Sequence, residues 1–152
     1  MKAQNPTIGS LVWHLSIRWR TEVDRVVAPF GLTHAQYSAL ASLHAMIERG
    51  ALPTQRELSE FMGLTPIYIS KLIRSLESGG NLTRSPDPQD SRAVRLELSN
   101  AGRERIIAAR ETVRELDAKL TAPLGGTNGA GAHEFAETLK SLIHFHQQMG
   151  ET

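Results

Sequence analysis

The chain has 152 residues, 40% of them hydrophobic, enough for one compact domain or for one domain with helical extensions. Its 17 Lys and Arg against 16 Asp and Glu leave a net charge of +1, so affinity for a polyanion has to come from local placement of cations. The absence of cysteine excludes a disulfide framework, a thiolate zinc site and a cysteine-based peroxide sensor.

In chain order, Asn5 and Pro6 open a long helical pattern in which Ile8, Leu11, Val12, Leu15, Trp19, Val23, Val26 and Phe30 recur at helical spacing. Trp13 and Ile17 lie off that stripe, which predicts a helix with two apolar faces, ended by Gly31. Arg18, Arg20 and Glu22 interrupt it, so it is no signal peptide or membrane span, and a cytoplasmic chain without membrane contact is expected. Thr33 and Gln36 form a capping box for a second helix with Tyr37, Leu40, Leu43 and Ile47 inward.

The most informative stretch runs from Thr54 to Leu98. Thr54 and Glu57 make a second capping box, and Leu58 and Phe61 supply the apolar face of a short helix. Gly63 sits where a helix ends in a left-handed residue. Thr65 caps the next helix, and Pro66 occupies its first turn, where a missing N–H costs nothing. Ile69, Leu72, Ile73 and Leu76 repeat at i, i+3, i+4, i+7 as one buried stripe. Ile67, Tyr68, Ser70, Lys71, Arg74 and Ser75 are left facing outward. That face of hydroxyls and cations suits base edges and phosphates, although Lys71 and Arg74 taken alone read equally as solvated charges.

A β-hairpin follows. Leu82 and Arg84 open one strand, and on the other Val94, Leu96 and Leu98 alternate inward with Arg95 and Glu97 outward. Pro86 and Pro88 stiffen the tip between them. An arginine on such a projection, here Arg92, can enter a narrow minor groove. Asp90 fits beside DNA if it orients Arg92 through a charge-assisted hydrogen bond.

Ser99 then caps a long charged helix in which Ile106, Ala109, Val113, Leu116 and Leu120 alternate steps of three and four, the seam of a packed helix pair. Pro123 stops it, and LGGTNGAGA reads as a flexible loop too glycine-rich for a helix. A last helix places Phe135, Leu139, Leu142, His146 and Met149 on one side.

Taken together, FGLTHAQYSAL, TQRELSEFMGL, IYISKLIRSLE and RSPDPQDSRAVRLELSNAG resemble the MarR family of bacterial transcription regulators over nearly the whole chain. The wing is the most specific part, where DPQDSRAVRLELSNAG is similar to the family's D-P-x-D-x-R…L-[TS]-x-x-G run. One position departs from the pattern: Asn81 follows Gly80 where the family usually has an apolar residue. The resemblance implies a mainly α fold with a small β-hairpin wing, arranged as one domain over 1–152. Within it, 33–98 is a winged helix-turn-helix lobe, and 5–31 with 99–149 form a helical dimerisation layer. It further implies a homodimeric repressor that binds pseudo-palindromic double-stranded DNA operators and is released by a small molecule, with no cofactor. The expected DNA-contacting set is Thr54, Thr65, Pro66, Ile67, Tyr68, Ser70, Lys71, Arg74, Arg84, Asp90, Arg92 and Arg95.

An effector cleft between the dimer helices and the lobe would draw on Trp13, His14, Ile17, Arg18, Tyr37 and His44, a set suited to a small aromatic carboxylate. The same residues also read as core or interface positions. Two other regulatory readings stand beside the main one. A metal sensor lacks an evident ligand cluster, since His144 and His146 diverge on a helix and His14, His34, His44 and His133 meet only through folding. A winged-helix protein-interaction module would be indifferent to neutralising Lys71, Arg74 and Arg92, whereas a DNA binder would not. Enzymatic function is not expected, because the chain has no phosphate-binding glycine loop, HExxH or GxSxG motif, and Asp87 and Asp90 stand on an exposed tip.

Overall fold

The computed structural model describes residues 5–150. Among the described residues, six α-helices and one antiparallel hairpin follow in the order α1 (Ile8–Val27), α2 (His34–Glu48), α3 (Gln55–Met62), α4 (Pro66–Ser78), β1 (Leu82–Pro86), β2 (Val94–Leu98), α5 (Asn100–Leu120) and α6 (Ala130–Gly150). They fall into two compact units, Met1–Thr112 and Val113–Thr152.

Within the first unit, local capping sets most helix starts. Both predicted capping boxes are present: Thr33 with Gln36, and Thr54 with Glu57, each threonine hydroxyl accepting the N3 amide and each N3 side chain accepting the threonine amide. Thr65 Oγ1 accepts the Tyr68 amide at 3.3 Å, with Pro66 at the first helical position. Gly63 closes α3 at φ 65°, a conformation that a side chain would strain. The α4 stripe is buried as its spacing predicts, Ile69, Ile73 and Leu76 fully and Leu72 nearly so. Leu40 and Leu43 from α2, Leu58 from α3, Leu82 and Leu96 from the hairpin and Ile106 from α5 complete this core. Each such side chain contributes about 1.5–3 kcal/mol relative to exposure.

The hairpin register pairs Leu82 with Leu98, Arg84 with Leu96 and Pro86 with Val94. On its far edge β2 is bridged to the residues before α3: the Leu96 amide donates to the Pro53 carbonyl at 3.0 Å, and Thr54 pairs with Arg95. Asn81, the departure noted in the sequence, is a buried junction. Its amide closes α4 on the Leu76 carbonyl (2.9 Å), its carbonyl accepts the Ser99 amide (3.1 Å), and its side chain accepts from Arg105. The first turn of α5 lies against that backbone so closely that a Cβ on Gly102 would stand 1.9 Å from the Asn81 oxygen. The Ser99 hydroxyl caps α5 by accepting the Gly102 amide at 2.9 Å.

Several boundaries and facings differ from the sequence expectation. The first helix starts at Ile8, capped by Thr7, rather than at Asn5 and Pro6. It ends at Val27, because Pro29 carries no amide to continue the ladder; a 3-10 turn, Ala28–Phe30, intervenes before Gly31. Phe61 is exposed, and the eight-residue α3 buries Leu58 and Ser59 instead, the serine hydroxyl donating to the Leu64 carbonyl at 2.7 Å. Tyr37 and Ile47 are only half-buried, while His44 on the same helix is in the core. Pro86 belongs to β1 rather than to the tip, and Arg95 is half-buried rather than outward.

The second unit holds the end of α5, a 3-10 turn at Ala122–Leu124, and α6. The segment LGGTNGAGA is an ordered connection and not a flexible loop. The Gly126 amide donates to the Thr121 carbonyl and the Gly129 amide to the Gly126 carbonyl, both at 3.0 Å, and α6 already starts at Ala130. Ala132 is buried, but Phe135, Leu139, Leu142, Ile143, Phe145 and Met149 stand exposed along α6. In the first unit, α1 likewise exposes Ile8, Leu11, Val12, Trp13, Leu15 and Ile17.

Candidate nucleic-acid interface

The outward face of α4 is built by default. With Ile69, Leu72, Ile73 and Leu76 committed to the core, 3.6-residue periodicity sends Ile67, Tyr68, Lys71 and Arg74 to solvent, all exposed, with Ser70 half-buried beside them. Ile67 is 74% exposed, unusual for an isoleucine on a well-formed helix. Among the described residues, no hydrogen bond or ion pair engages the Lys71 or Arg74 side chain. Thr65 and Pro66 stand at the exposed start of this helix, where the first amides point outward and favour negative charge. Ser75 is engaged, its hydroxyl accepting from Gln36 Nε2, so the side chain that caps α2 also grips α4.

The wing tip spans Asp87 to Ala93 and is closed by the Asp87 amide on the Ala93 carbonyl at 3.0 Å. Arg92 projects from it with its side chain 92% exposed. Asp90 Oδ1 accepts both the Arg92 amide (3.0 Å) and Arg92 Nε (3.4 Å), the orienting contact its position required. The other two wing arginines are engaged by partners within the fold, Arg84 at the surface and Arg95 half-buried. Glu77 Oε2 accepts Arg84 Nε at 3.1 Å and Oε1 accepts Arg84 Nη2 at 3.0 Å, a two-pronged fork. This bond holds the Glu77 carboxyl below its usual range and raises the guanidinium. Arg95 donates through Nη1 to the Leu52 carbonyl and pairs through Nη2 with Asp87 at 3.1 Å. The Gln89 amide, with Arg95 adding to it, keeps the Asp87 carboxyl below the ordinary aspartate value. Thr54 is buried in its capping box, Oγ1 accepting the Glu57 amide at 3.2 Å.

The six residues named for an effector cleft have unlike surroundings. Trp13, His14, Ile17 and Arg18 are exposed on α1, and Tyr37 is half-buried on α2. His44 is only 2% exposed and accepts at Nδ1 from Arg110 Nη1 (3.0 Å), with Glu48 Oε2 3.5 Å from the same nitrogen. A guanidinium only donates, so the contact with Arg110 uses the lone pair of Nδ1. A shallow cleft of about 580 Å³ opens elsewhere in the first unit, lined by Pro29, Phe30, Gly31, Ala101, Glu104 and Arg105. No group of three His, Cys, Asp or Glu among the described residues is placed to hold a metal ion. No helix among them is long and apolar enough to cross a membrane.

Glu77 and Arg110 were given no role from sequence, and Asn81 and Asp87 were named there without the partners the structure gives them. Their partners lie 7, 66, 24 and 8 positions away across turns or whole elements, and no local pattern announces such pairs. The only clue was chemical: each cation on the hairpin has a carboxylate within reach of the same supersecondary unit.

Comparison with known proteins agrees with this geometry. A sequence model of the MarR family matches residues 32–94. The chain is 36% identical over 113 residues to the uncharacterized HTH-type transcriptional regulator YdcH of Bacillus subtilis, covering 74% of this chain and 77% of that one. It is 26% identical over 140 residues to an HTH-type transcriptional repressor of Mycobacterium bovis, covering 92% and 96%. Among solved structures, MepR of S. aureus in complex with DNA superposes with a TM-score of 0.81 at 21% identity, covering 92% of this chain and 98% of that one. CouR of Rhodococcus jostii RHA1, bound to p-coumaroyl-CoA, gives 0.76 at 22% identity, covering 93% and 95%. The fold is thus the winged helix-turn-helix of DNA-binding regulators, and the chain belongs to the MarR family of transcription regulators, which are not enzymes.

Proposed function

We propose that the chain is a homodimeric repressor that reads a pseudo-palindromic operator through Ile67, Tyr68, Ser70, Lys71 and Arg74 in the major groove and Arg92 in the minor groove. The observation that carries it is the outward face of α4, where two cations and two large apolar groups stand exposed at the start of a firmly capped helix. The likeness to MepR, solved with DNA, supports the same docking, and that to a mycobacterial repressor supports the sign of regulation. Dimerisation is supported by the apolar faces of α1 and α6, each more exposed than a lone soluble helix can readily tolerate. A two-fold pair would set two recognition helices about 34–36 Å apart, one turn of DNA. Occupying a promoter is enough to repress it, and the place of action is the cytoplasm.

Release by a small aromatic acid belongs to the same proposal, with Trp13, His14, Ile17, Arg18 and Tyr37 as contacts. CouR, solved with an aromatic acyl thioester, supports a ligand of this kind. The place of His44 in it is indirect, through its hold on Arg110. The test is fluorescence anisotropy with the duplex upstream of the gene against a scrambled duplex of equal length, over a salt series. Preference for the upstream duplex by several decades with a steep salt slope is the expected result. Equal weak binding to both overturns the reading. Salicylate-like acids titrated into the complex are expected to lower its affinity, and a panel without effect removes the effector from the proposal.

A further inference from the structure

We propose that Arg84 and Arg95 are positioning residues that brace the wing against the helix-turn-helix, leaving Arg92 as the wing cation that reads DNA. This rests on the DNA-binding reading above and assigns its wing arginines different work.

Three arginines in the hairpin look alike in sequence. The structure separates them by what their donors face. Arg84 spends two of its five N–H groups on both oxygens of Glu77, which stands on the recognition helix one turn beyond Arg74. Arg95 reaches in the other direction, to the Leu52 carbonyl just before the α3 capping box and to Asp87 at the root of the wing tip. The backbone bond from Leu96 to Pro53 runs beside it. One arginine therefore ties the hairpin to α4 and the other ties it to the entrance of α3. Exposed ion pairs of this kind add little stability, but a planar guanidinium forked onto a carboxylate fixes direction. Direction is what a wing requires, because its tip must meet the minor groove while α4 lies in the major groove.

The counting differs as well. If every cation from 65 to 98 met a phosphate, a dimer would present ten, and the slope of log K against log salt would be about −9. With Arg84 and Arg95 turned to Glu77 and Asp87, and Arg92 counted because it projects 92% exposed although Asp90 touches it at 3.4 Å, a dimer presents six through Lys71, Arg74 and Arg92, and the slope is about −5.

The decisive experiment uses Glu77→Gln in the full chain, because the two readings give effects of opposite sign. If Arg84 contacts DNA, removing the neighbouring carboxylate frees a cation and tightens binding. If Arg84 braces the wing, the same change weakens binding to the preferred duplex by about tenfold, on the scale of one lost base-pair contact. Binding to the scrambled duplex stays as it was, and the thermal midpoint moves little. The exchange of Glu77→Arg with Arg84→Glu restores preference if the fork is a brace and fails if Arg84 is a contact. Tighter binding by Glu77→Gln, or a wild-type salt slope near −9, overturns the brace while leaving the DNA reading intact. Absence of any duplex preference in the wild type overturns the DNA reading and the brace with it.

Discussion

The recognition lobe and the two terminal helices are built to different degrees of completion. From Thr54 to Leu98 the helix starts are capped, the α4 stripe is buried, and the hairpin is fastened at both edges of β2. Along α1 and α6 the large apolar side chains stand in solvent, with Ile8 at 71% and Met149 at 60% exposure. A segment whose polar groups are satisfied internally can present its remaining charges to a ligand without rearranging. A segment with an uncovered apolar face still has burial to gain, and a second copy of the chain is the proposed source. The difference teaches that shape is local to one lobe, whereas the proposed two-fold pairing would depend on helices distant in sequence.

The strongest way to break this contrast is to charge the uncovered faces. Leu11→Glu with Leu142→Glu is expected to convert the proposed dimer to a monomer by light scattering at micromolar concentration. Operator affinity should fall on the order of 10²–10⁴-fold, because the second half-site is no longer linked to the first. The far-ultraviolet circular dichroism should be unchanged, since neither leucine supports the lobe. An unchanged mass would remove α1 and α6 from the dimer.

Next in size is the closed side of the comparison. Gly102→Ala drives a methyl into the Asn81 carbonyl, and overpacking against backbone costs about 1–3 kcal/mol in denaturant unfolding. A loss below a few tenths would mean that α5 can slide away from the α4 terminus without penalty. Thr54→Ala sharpens the picture further: it removes a hydroxyl from a buried capping box, for a loss of about 1 kcal/mol. Thr65→Ala, at an exposed cap, should cost less.

The smallest effect concerns His34 at the start of α2. Burial lowers its pKa, with Asp24 opposing and Arg20 adding to the shift. The folded chain therefore binds this proton less readily than the unfolded chain. Stability is fully present above the ordinary histidine value of about 6.5 and falls as the pH drops through and below it. His34→Gln should show a shallower acid slope over that window than the wild type, and equal slopes would assign the loss to other groups.

Much of the lobe was legible because its signals are short-range. Thr33, Thr54 and Thr65 each announce a helix three residues ahead of the side chain or amide they engage, and Gly63 marks the turn by its own conformational freedom. The outward set on α4 follows from the inward stripe by periodicity alone. The wing was harder. Arg84, Arg92 and Arg95 carry the same charge, and only the tertiary position of Glu77, Asp87 and Leu52 separates two fastened side chains from one that projects. The pairing of His44, which the sequence offered to an effector cleft, was hidden for a similar reason: it sits on the apolar side of α2, and its partner Arg110 lies 66 residues away. Phe61 misled because α3, at eight residues, has too few turns to bury a second large apolar side chain beside Leu58.

The hairpin has one more consequence, for assembly. One edge of β2 is taken by β1 and the other is bridged at Thr54, so only the outer edge of β1 is open to a further strand. That edge is five residues long and ends in Pro86, which offers no amide. Short edges interrupted by proline are poor templates for intermolecular strand addition. Concentrated protein should therefore associate through its helices and remain free of cross-β aggregates, even though the wing is held out into solvent.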